Sequence, residues 1–289
     1  MKKRTRIFLA TICIVAIIAI FLFIQITKAG SNNLKVWILD VGQGDGILIK
    51  TPNNIDVLID GGPGRSILEK LGEALPFWDR HIDLIILTHP HADHVNGLVE
   101  VLKRYRVDQV LEPNFNNNSP GYIAFDKLIK EKNIKKTIAK DGQEIILGEN
   151  LIMDIFWPPQ PLNEWTQDLN DISVVSKLSY GEIDFLLTGD LTSNAEKEIL
   201  DEGLESEFLK VGHHGSKYSS SKEFLEEVSP LISIISSGEG NSFGHPHQET
   251  IDRLEEVRSE VLRTDLSGNI KIEVEENGDW KIECERNCK

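Results

Sequence analysis

Cysteine is scarce in this chain. Its three copies, Cys13, Cys284 and Cys288, do not supply the two cysteine pairs of a zinc ribbon. Cys13 follows Thr11-Ile12 inside an apolar run, a poor match to a lipidation site, and reads as apolar filler. Cys284 and Cys288 lie in the last six residues, where an oxidising compartment permits a small terminal disulfide loop. Basic charge is scarce as well. Of 31 Lys and Arg, five precede Ala29; the other 26 face 46 Asp and Glu, a formal charge of −20 on the body. Such a surface repels phosphate backbones unless metals or a local basic patch offset it. That counts against tight binding of long duplex DNA, but not against hydrolysis of a short phosphodiester. No internal repeat of solenoid type is visible, and no histidine lies between His94 and His213.

One long hydrophobic run is present. Lys2, Lys3, Arg4 and Arg6 precede 18 apolar-rich residues, Ile7 to Ile24. At about 1.5 Å per residue this gives roughly 27 Å of helix, close to a bilayer core. Basic residues ahead of the run predict a cytoplasmic N-terminus and an exported body. An uncleaved anchor is favoured over a cleavable signal, for which Thr27-Lys28-Ala29 is a weak small-x-small site. The expected organisation is a signal or anchor over 1–29 and one hydrolase domain over 30–289, extracytoplasmic and touching the membrane through the N-terminal segment only.

After a polar linker, Gly30 to Asn33, apolar stretches predict strands over 34–39, 47–50 and 56–60, arranged as an antiparallel hairpin edge. Gly42, Gly44 and Gly46 lack the spacing of a dinucleotide loop, and a strand follows them; a tight turn beside a ligand accounts for them better. Helical spacing appears over 66–75, 97–104, 122–132, 194–200, 222–228 and 248–258. Further strands are expected over 83–88, 107–111, 134–138, 144–147, 151–157, 172–178, 183–187, 207–211, 231–235, 261–263, 269–274 and 280–283. An Asn-rich turn, 114–119, and a polar loop from Trp157-Pro158-Pro159 through Asn170 separate some of them. Runs of strands with interleaved helices give two sheets that must pack together and be covered outside. The expected class is α/β (α+β), a four-layer αββα sandwich.

The chemistry concentrates at strand ends. Thr88-His89-Pro90-His91-Ala92-Asp93-His94 follows the buried run Leu84 to Leu87, and holds three imidazoles and a carboxylate. Histidine is the commonest metal ligand, and this set begins two adjacent sites for zinc-like ions. Seven of the eight histidines fall in three such clusters, the others being His213-His214 and His245–His247, and the eighth is His81. Two ions need several imidazoles and a carboxylate able to bridge. Asp190, after Leu187-Thr188-Gly189, is the candidate bridge. Asp40 and Asp45 read as groups that orient ligating histidines, with turn capping as the plainer account of Asp45. His245 and His247 read as a further ligand or phosphate contacts, against ordinary loop histidines. The glycines beside Asp190 and His214 read as backbone geometry.

These motifs carry a resemblance. His89-Pro-His91-Ala-Asp93-His94 resembles the HxHxDH signature of the metallo-β-lactamase fold, Thr188-Gly189-Asp190 its later bridging aspartate and His213 its last histidine. Asp40-Val-Gly-Gln-Gly-Asp45, Leu187-Thr-Gly-Asp190, His213-His-Gly-Ser216, Gly244-His-Pro246 and Arg263-Thr-Asp265 occur in the order found in the metallo-β-lactamase-like domain of ComEC-type competence proteins. The similarity spans nearly all of 34–275; the multi-helix channel of those proteins has no counterpart here, so DNA transport does not carry over. The resemblance implies two divalent ions, zinc or manganese. His89, His91 and one more ligand would hold the first ion. Asp93, His94 and His213 would hold the second, with Asp190 bridging. His213 is preferred over His214 as ligand, with His214 and Ser216 facing substrate beside His245 and His247. Many members have another metal-binding histidine between the first cluster and the bridging aspartate. Here Asn170-Asp171-Ile172-Ser173 stands in that place, with Asp168 or Asp171 as substitutes, or a harder ion such as manganese in a weakened site.

The leading expectation is an extracytoplasmic metallo-hydrolase, a phosphodiesterase or nuclease attacking small phosphodiesters or oligonucleotides with a metal-bound hydroxide. Asp93 and Asp190 would be its catalytic carboxylates. A hydrolase of a cell-envelope ester of the phosphocholine type, or of a lactone or β-lactam, is the second reading. A non-catalytic exported binding module with a structural metal is the third.

Overall fold

The computed structural model describes residues 3–29, 33–115, 117–162, 168–200 and 202–288. Parts of the expected 30–33 linker, the Asn-rich turn and the 157–170 loop lie outside these. Helix α1 (Lys3–Ala29) is exposed along Ile7–Ile24, which is long and apolar enough to cross a membrane. The Phe21 ring touches Phe77 of the body, with centroids 5.4 Å apart.

The body holds two sheets. The first contains β1 (Leu34–Ile38), β2 (Ile47–Lys50), β3 (Asp56–Ile59), β4 (His81–Ile86), β5 (Arg106–Glu112) and β6 (Lys135–Ile138), joined by two C-terminal strands. The second contains β7 (Gln143–Gly148), β8 (Leu151–Trp157), β9 (Val175–Tyr180), β10 (Ile183–Leu187), β11 (Phe208–Lys210), β12 (Ile232–Ile235) and β13 (Glu260–Arg263), and the C-terminal β14 (Ile270–Val274) and β15 (Trp280–Cys284) complete the first. The first three strands pair antiparallel as expected, but they are interior. β14 pairs antiparallel with β1 and carries β15 outside it, so the hairpin meets a partner more than two hundred residues away. The Cys284–Cys288 disulfide closes the tail.

Period-two alternation places the side chains of the central strands on two buried faces. Leu34, Val36, Ile38, Ile47, Ile49, Val57 and Ile59 point between the sheets, meeting Phe185, Leu187, Phe208 and Ile234. Leu48, Leu58 and Ile85 point outward under α2 (Ser66–Ala74), α3 (Ala92–Arg104) and α4 (Pro120–Glu131). Leu186, Leu209 and Ile235 pack with α5 (Ser193–Glu196), α6 (Lys222–Val228) and α7 (Gln248–Glu256); a single turn, α8 (Thr264–Ser267), follows β13. The αββα sandwich is borne out. Each fully buried Val, Leu, Ile or Phe contributes roughly 1.5–3 kcal/mol to holding it together.

Several boundaries differ from expectation, and two of the differences shape the site. α3 begins at Ala92, not at 97, because Asp93 in its first turn favours a helix N-terminus; Asp93 and His94 therefore ride on a helix. The expected 172–178 strand begins at Val175, after a 3₁₀ turn, Leu169–Ile172, capped by the Asp168 carboxylate accepting from Asn170 N–H. The expected 194–200 helix is only Ser193–Glu196.

Gly97 sets how closely α3 approaches the loop after β3. A Cβ there would lie 1.7 Å from the Gly61 carbonyl oxygen, while Gly97 N–H donates to Gly62 O and Gly61 N–H to His94 O. Gly97→Ala is expected to destabilise the fold by about 3 kcal/mol through overpacking, read from chemical denaturation. Gly72→Ala, in α2 with no atom near the added methyl, is expected to gain about 0.5–1 kcal/mol. Equal effects of the two would show that the close approach is not required.

Candidate metal centre

The strands that end at the site run in parallel pairs: β4 from the first sheet and β10, β11 and β12 from the second. Their C-terminal ends lead to Thr88–His94, Thr188–Asp190, Gly212–Ser216 and Ser236-Ser237. Loops at carboxyl ends of parallel strands are where open α/β sheets present ligand sites. Val174 N–H donates to Thr88 O, tying the two sheets together at this point.

Asp190 is the centre. Its Oδ2 lies 3.3 Å from His94 Nε2, 3.3 Å from His214 Nε2, and 3.8 Å from both His89 Nε2 and His213 Nε2. His91 completes the group, its Nδ1 being 3.0 Å from His89 Nε2. Asp93 faces the same space, with Oδ2 3.5 Å from His214 Nε2 and Oδ1 4.0 Å from His94 Nε2.

Each deep imidazole is oriented by its other nitrogen. His94 Nδ1 donates to Asp60 Oδ2 at 2.7 Å. The Thr88 hydroxyl donates to the same carboxylate at 2.6 Å, so its oxygen accepts from His89 Nδ1 at 3.0 Å. His214 Nδ1 donates to the Ser236 carbonyl at 3.0 Å. These bonds place a proton on each Nδ1 and turn three Nε2 atoms toward Asp190. Ligating histidines are held in this way.

The electrostatics call for positive charge beside Asp190. Burial opposes protonation of His94 and His214, but the Asp190 carboxylate overrides it, and both are held well above the ordinary imidazole range. Burial and the neighbouring His94 push His89 well below it. Burial would raise the Asp190 carboxyl, yet His214 and His94 hold it well below the usual range. His94 Nε2, His214 Nε2 and Asp190 Oδ1 are buried without a hydrogen-bond partner. Orphaned nitrogen and oxygen donors converging around one carboxylate fit divalent ions of the zinc or manganese type. Asp93, His94 and His214 form one close triad of ligand atoms, and His89, His94 and Asp190 another.

Placement differs from the sequence expectation at several residues. His213 and His214 both adopt left-handed backbone conformations, φ 47° and 55°, each costing roughly 1–2 kcal/mol. This double turn drives His214 into the centre, fully buried, and leaves His213 a quarter exposed at its edge. The substrate-facing role expected for His214 is thus at odds with its depth. Ser216 is buried too, its Oγ accepting from Tyr218 N–H and so shaping the loop rather than facing a substrate. His245 and His247 line the rim: the His245 ring lies 5.6 Å from His213, and His247 Nδ1 accepts from Lys217 N–H. Burial and His214 push His245 down to about 4. Asp171 is turned away, its carboxylate accepting from the Thr192 hydroxyl; Asp168 caps the 3₁₀ turn, and neither joins a group of ligand atoms. Ser173 stands nearest the expected intermediate-histidine position, its Oγ 3.4 Å from His89 Nδ1 and accepting from Asp190 N–H. Asp40 lies apart from the centre, accepting from Gly42 N–H and pairing with Arg286.

Two residues went unread in the sequence. Asp60 directly follows β3 at the base of His94, fully buried. Lys210 ends β11, also fully buried, with Nζ 2.7 Å from Asp45 Oδ2. Asp45 Oδ1 in turn lies 3.4 Å from His214 Nδ1. Burial would raise the Asp45 carboxyl, but Lys210 and His214 hold it below its ordinary value. Asp45 therefore supports His214 from behind. A charged residue closing an apolar strand was the available signal in both cases.

A sandwich of two mixed sheets with five histidines and two aspartates converging at strand ends defines a metal-dependent hydrolase. The chain belongs to the metallo-beta-lactamase superfamily, whose family model matches residues 39–239. It is similar to ComE operon protein 3 of Bacillus subtilis, 29% identical over 90% of this chain and 35% of that protein. It is also similar to Recombination protein 2 of Haemophilus influenzae, 32% identical over 88% of this chain and 30% of the relative. The chain thus spans about a third of the length of these relatives. Among solved structures, the diiron β-hydroxylase CmlA of Streptomyces venezuelae shares the fold, with TM-score 0.57 and 14% identity over 83% of this chain and 53% of the other. The metallo-beta-lactamase fold protein YhfI of Bacillus subtilis gives TM-score 0.53 at 13% identity, over 78% of this chain and 95% of the other.

Proposed function

We propose that the protein is a binuclear metal-dependent phosphodiesterase acting outside the cytoplasm on small phosphodiesters or unpaired oligonucleotides. The observation that carries the reading is the single Asp190 oxygen with four imidazole nitrogens within 3.3–3.8 Å. His89 and His91, with His213 at the edge, would hold one ion. Asp93, His94 and His214 would hold the other, and Asp190 would bridge. When bound, two such ions supply an activated water and Lewis-acid polarisation of the scissile bond. Asp93 is the most exposed carboxylate of the centre, held ionised against burial by His214 and His94. It is placed to orient the attacking water and accept its proton. Asp60, Thr88 and Ser236 keep the imidazoles in one tautomer.

Relatives named as a recombination protein and as a competence protein support a nucleic-acid substrate, and the −20 charge of the body favours short strands over long duplexes. The apolar N-terminal helix supports an anchor over 1–29 with the hydrolase domain, 30–289, exported. No other partner is invoked.

The full chain in detergent is expected to bind about two equivalents of Mn²⁺ or Zn²⁺ and to hydrolyse bis-p-nitrophenyl phosphate. Chelation should stop turnover and added metal restore it. Activity that survives EDTA would overturn the reading. His214→Ala is expected to lose about one equivalent of metal, by elemental analysis of the dialysed protein. Retention of both ions would move His214 out of the ligand set.

A further inference from the structure

Beside the metal centre opens a cleft of about 560 Å³, within the size range of small-ligand sites. It shares His213 with the centre, and its wall includes Asn170, Asp171, Ser193, Lys217 and Tyr218. Tyr218 is 67% exposed, and Lys217 Nζ lies 5.4 Å from its ring centroid. Asn170 is more than nine-tenths buried, and its Oδ1 has no hydrogen-bond partner among the described residues. The Asp171 carboxyl, raised by burial, stands beside it.

These walls discriminate by chemistry. The acidic side repels a phosphate, which is drawn instead to the metal centre that His213 joins to the cleft. A group entering the cleft finds an exposed aromatic side chain and, in Asn170 Oδ1, an acceptor lacking a donor among the described residues. A planar heterocycle with N–H donors on its edge satisfies both; an alkyl chain supplies no donor, and a sugar supplies hydroxyl donors but no flat π face. We propose that this cleft is a nucleobase subsite for the residue flanking the scissile phosphodiester, with Tyr218 as the stacking platform and Asn170 reading the edge. A paired base has its edge and faces occupied, so the subsite selects unpaired strands. The inference rests on the phosphodiesterase reading above.

The test compares a short single-stranded oligodeoxynucleotide with a strand of equal length carrying abasic tetrahydrofuran residues throughout. Both are given to the metal-loaded full chain. The base-bearing strand is expected to give kcat/KM about tenfold higher, as one stacked base would supply. Tyr218→Ala should lower the base-bearing value about tenfold, mainly through KM, and leave the abasic value unchanged; Tyr218→Phe should restore it. Equal rates on the two strands, or a Tyr218→Ala loss shared by both, would overturn the subsite and leave the phosphodiesterase standing. So would cleavage of bis-p-nitrophenyl phosphate with neither strand cleaved. No turnover of any phosphodiester would fell both.

Discussion

Asp190→Asn is expected to reduce kcat/KM for bis-p-nitrophenyl phosphate by at least about a thousandfold, as loss of metal-borne charge stabilisation worth several kcal/mol requires. The side chain keeps its size and place, so packing around it is retained. What changes is charge. Four imidazole nitrogens lie within 3.8 Å of one carboxylate oxygen, and an amide cannot bridge two cations among them. Bound metal should fall from about two equivalents to one or fewer, while the circular-dichroism spectrum stays that of the parent. A variant that kept both ions and full turnover would remove Asp190 from the mechanism. One that lost its secondary structure would show that the carboxylate is needed to build the site as well as to run it.

Lys210→Met is expected to have the largest effect on stability. The ammonium is fully buried and lies 2.7 Å from Asp45. Methionine fills similar space but leaves the Asp45 carboxylate buried without its cation. Removing one partner of such a pair costs about 3–5 kcal/mol. Because Asp45 also lies behind His214, metal affinity should fall with stability. The Lys210→Met/Asp45→Leu double variant removes both charges and is expected to recover much of the folding free energy, as judged by urea denaturation, without recovering full activity. If the double variant were as unstable as the single, the pair would not be the source of the loss. If Lys210→Met cost less than about 1 kcal/mol, the pair would be behaving like an exposed one.

Much of this molecule was legible in the residue order. Strands with period-two apolar runs, such as Leu34–Ile38 and Ile270–Val274, carry their own signature, because side chains alternate across a pleated strand whatever lies next to it. The polar residues that stop those runs marked Asp93, Asp190 and the two histidine pairs, since a buried strand that ends in ionisable groups must bring them to a surface or a site. The N-terminal apolar run was equally plain, being local to eighteen consecutive residues.

Other features depend on which strand ends meet. Asp60 and Lys210 each look like an ordinary charged residue closing a strand. Only the pairing of β3 with β4 sets Asp60 beneath His94, and only the meeting of the β1–β2 loop with the end of β11 sets Asp45 against Lys210. The first hairpin looked like an edge because its covering strand, β14, comes at the far end of the chain.

Sequence alone therefore determined the kinds of ligand, their places at strand ends, the layered fold and the apolar helix, since each rests on local chemistry and periodicity. Tertiary structure decided which nitrogen faces the centre. Two successive left-handed residues turned His214 inward and left His213 at the rim, and hydrogen bonds to Asp60, Thr88 and Ser236 set the direction of every deep imidazole. The Asp60 and Ser236 contacts join segments distant in the chain, and the Thr88 hydroxyl beside His89 is itself oriented by Asp60, so no pattern within one segment encodes these directions.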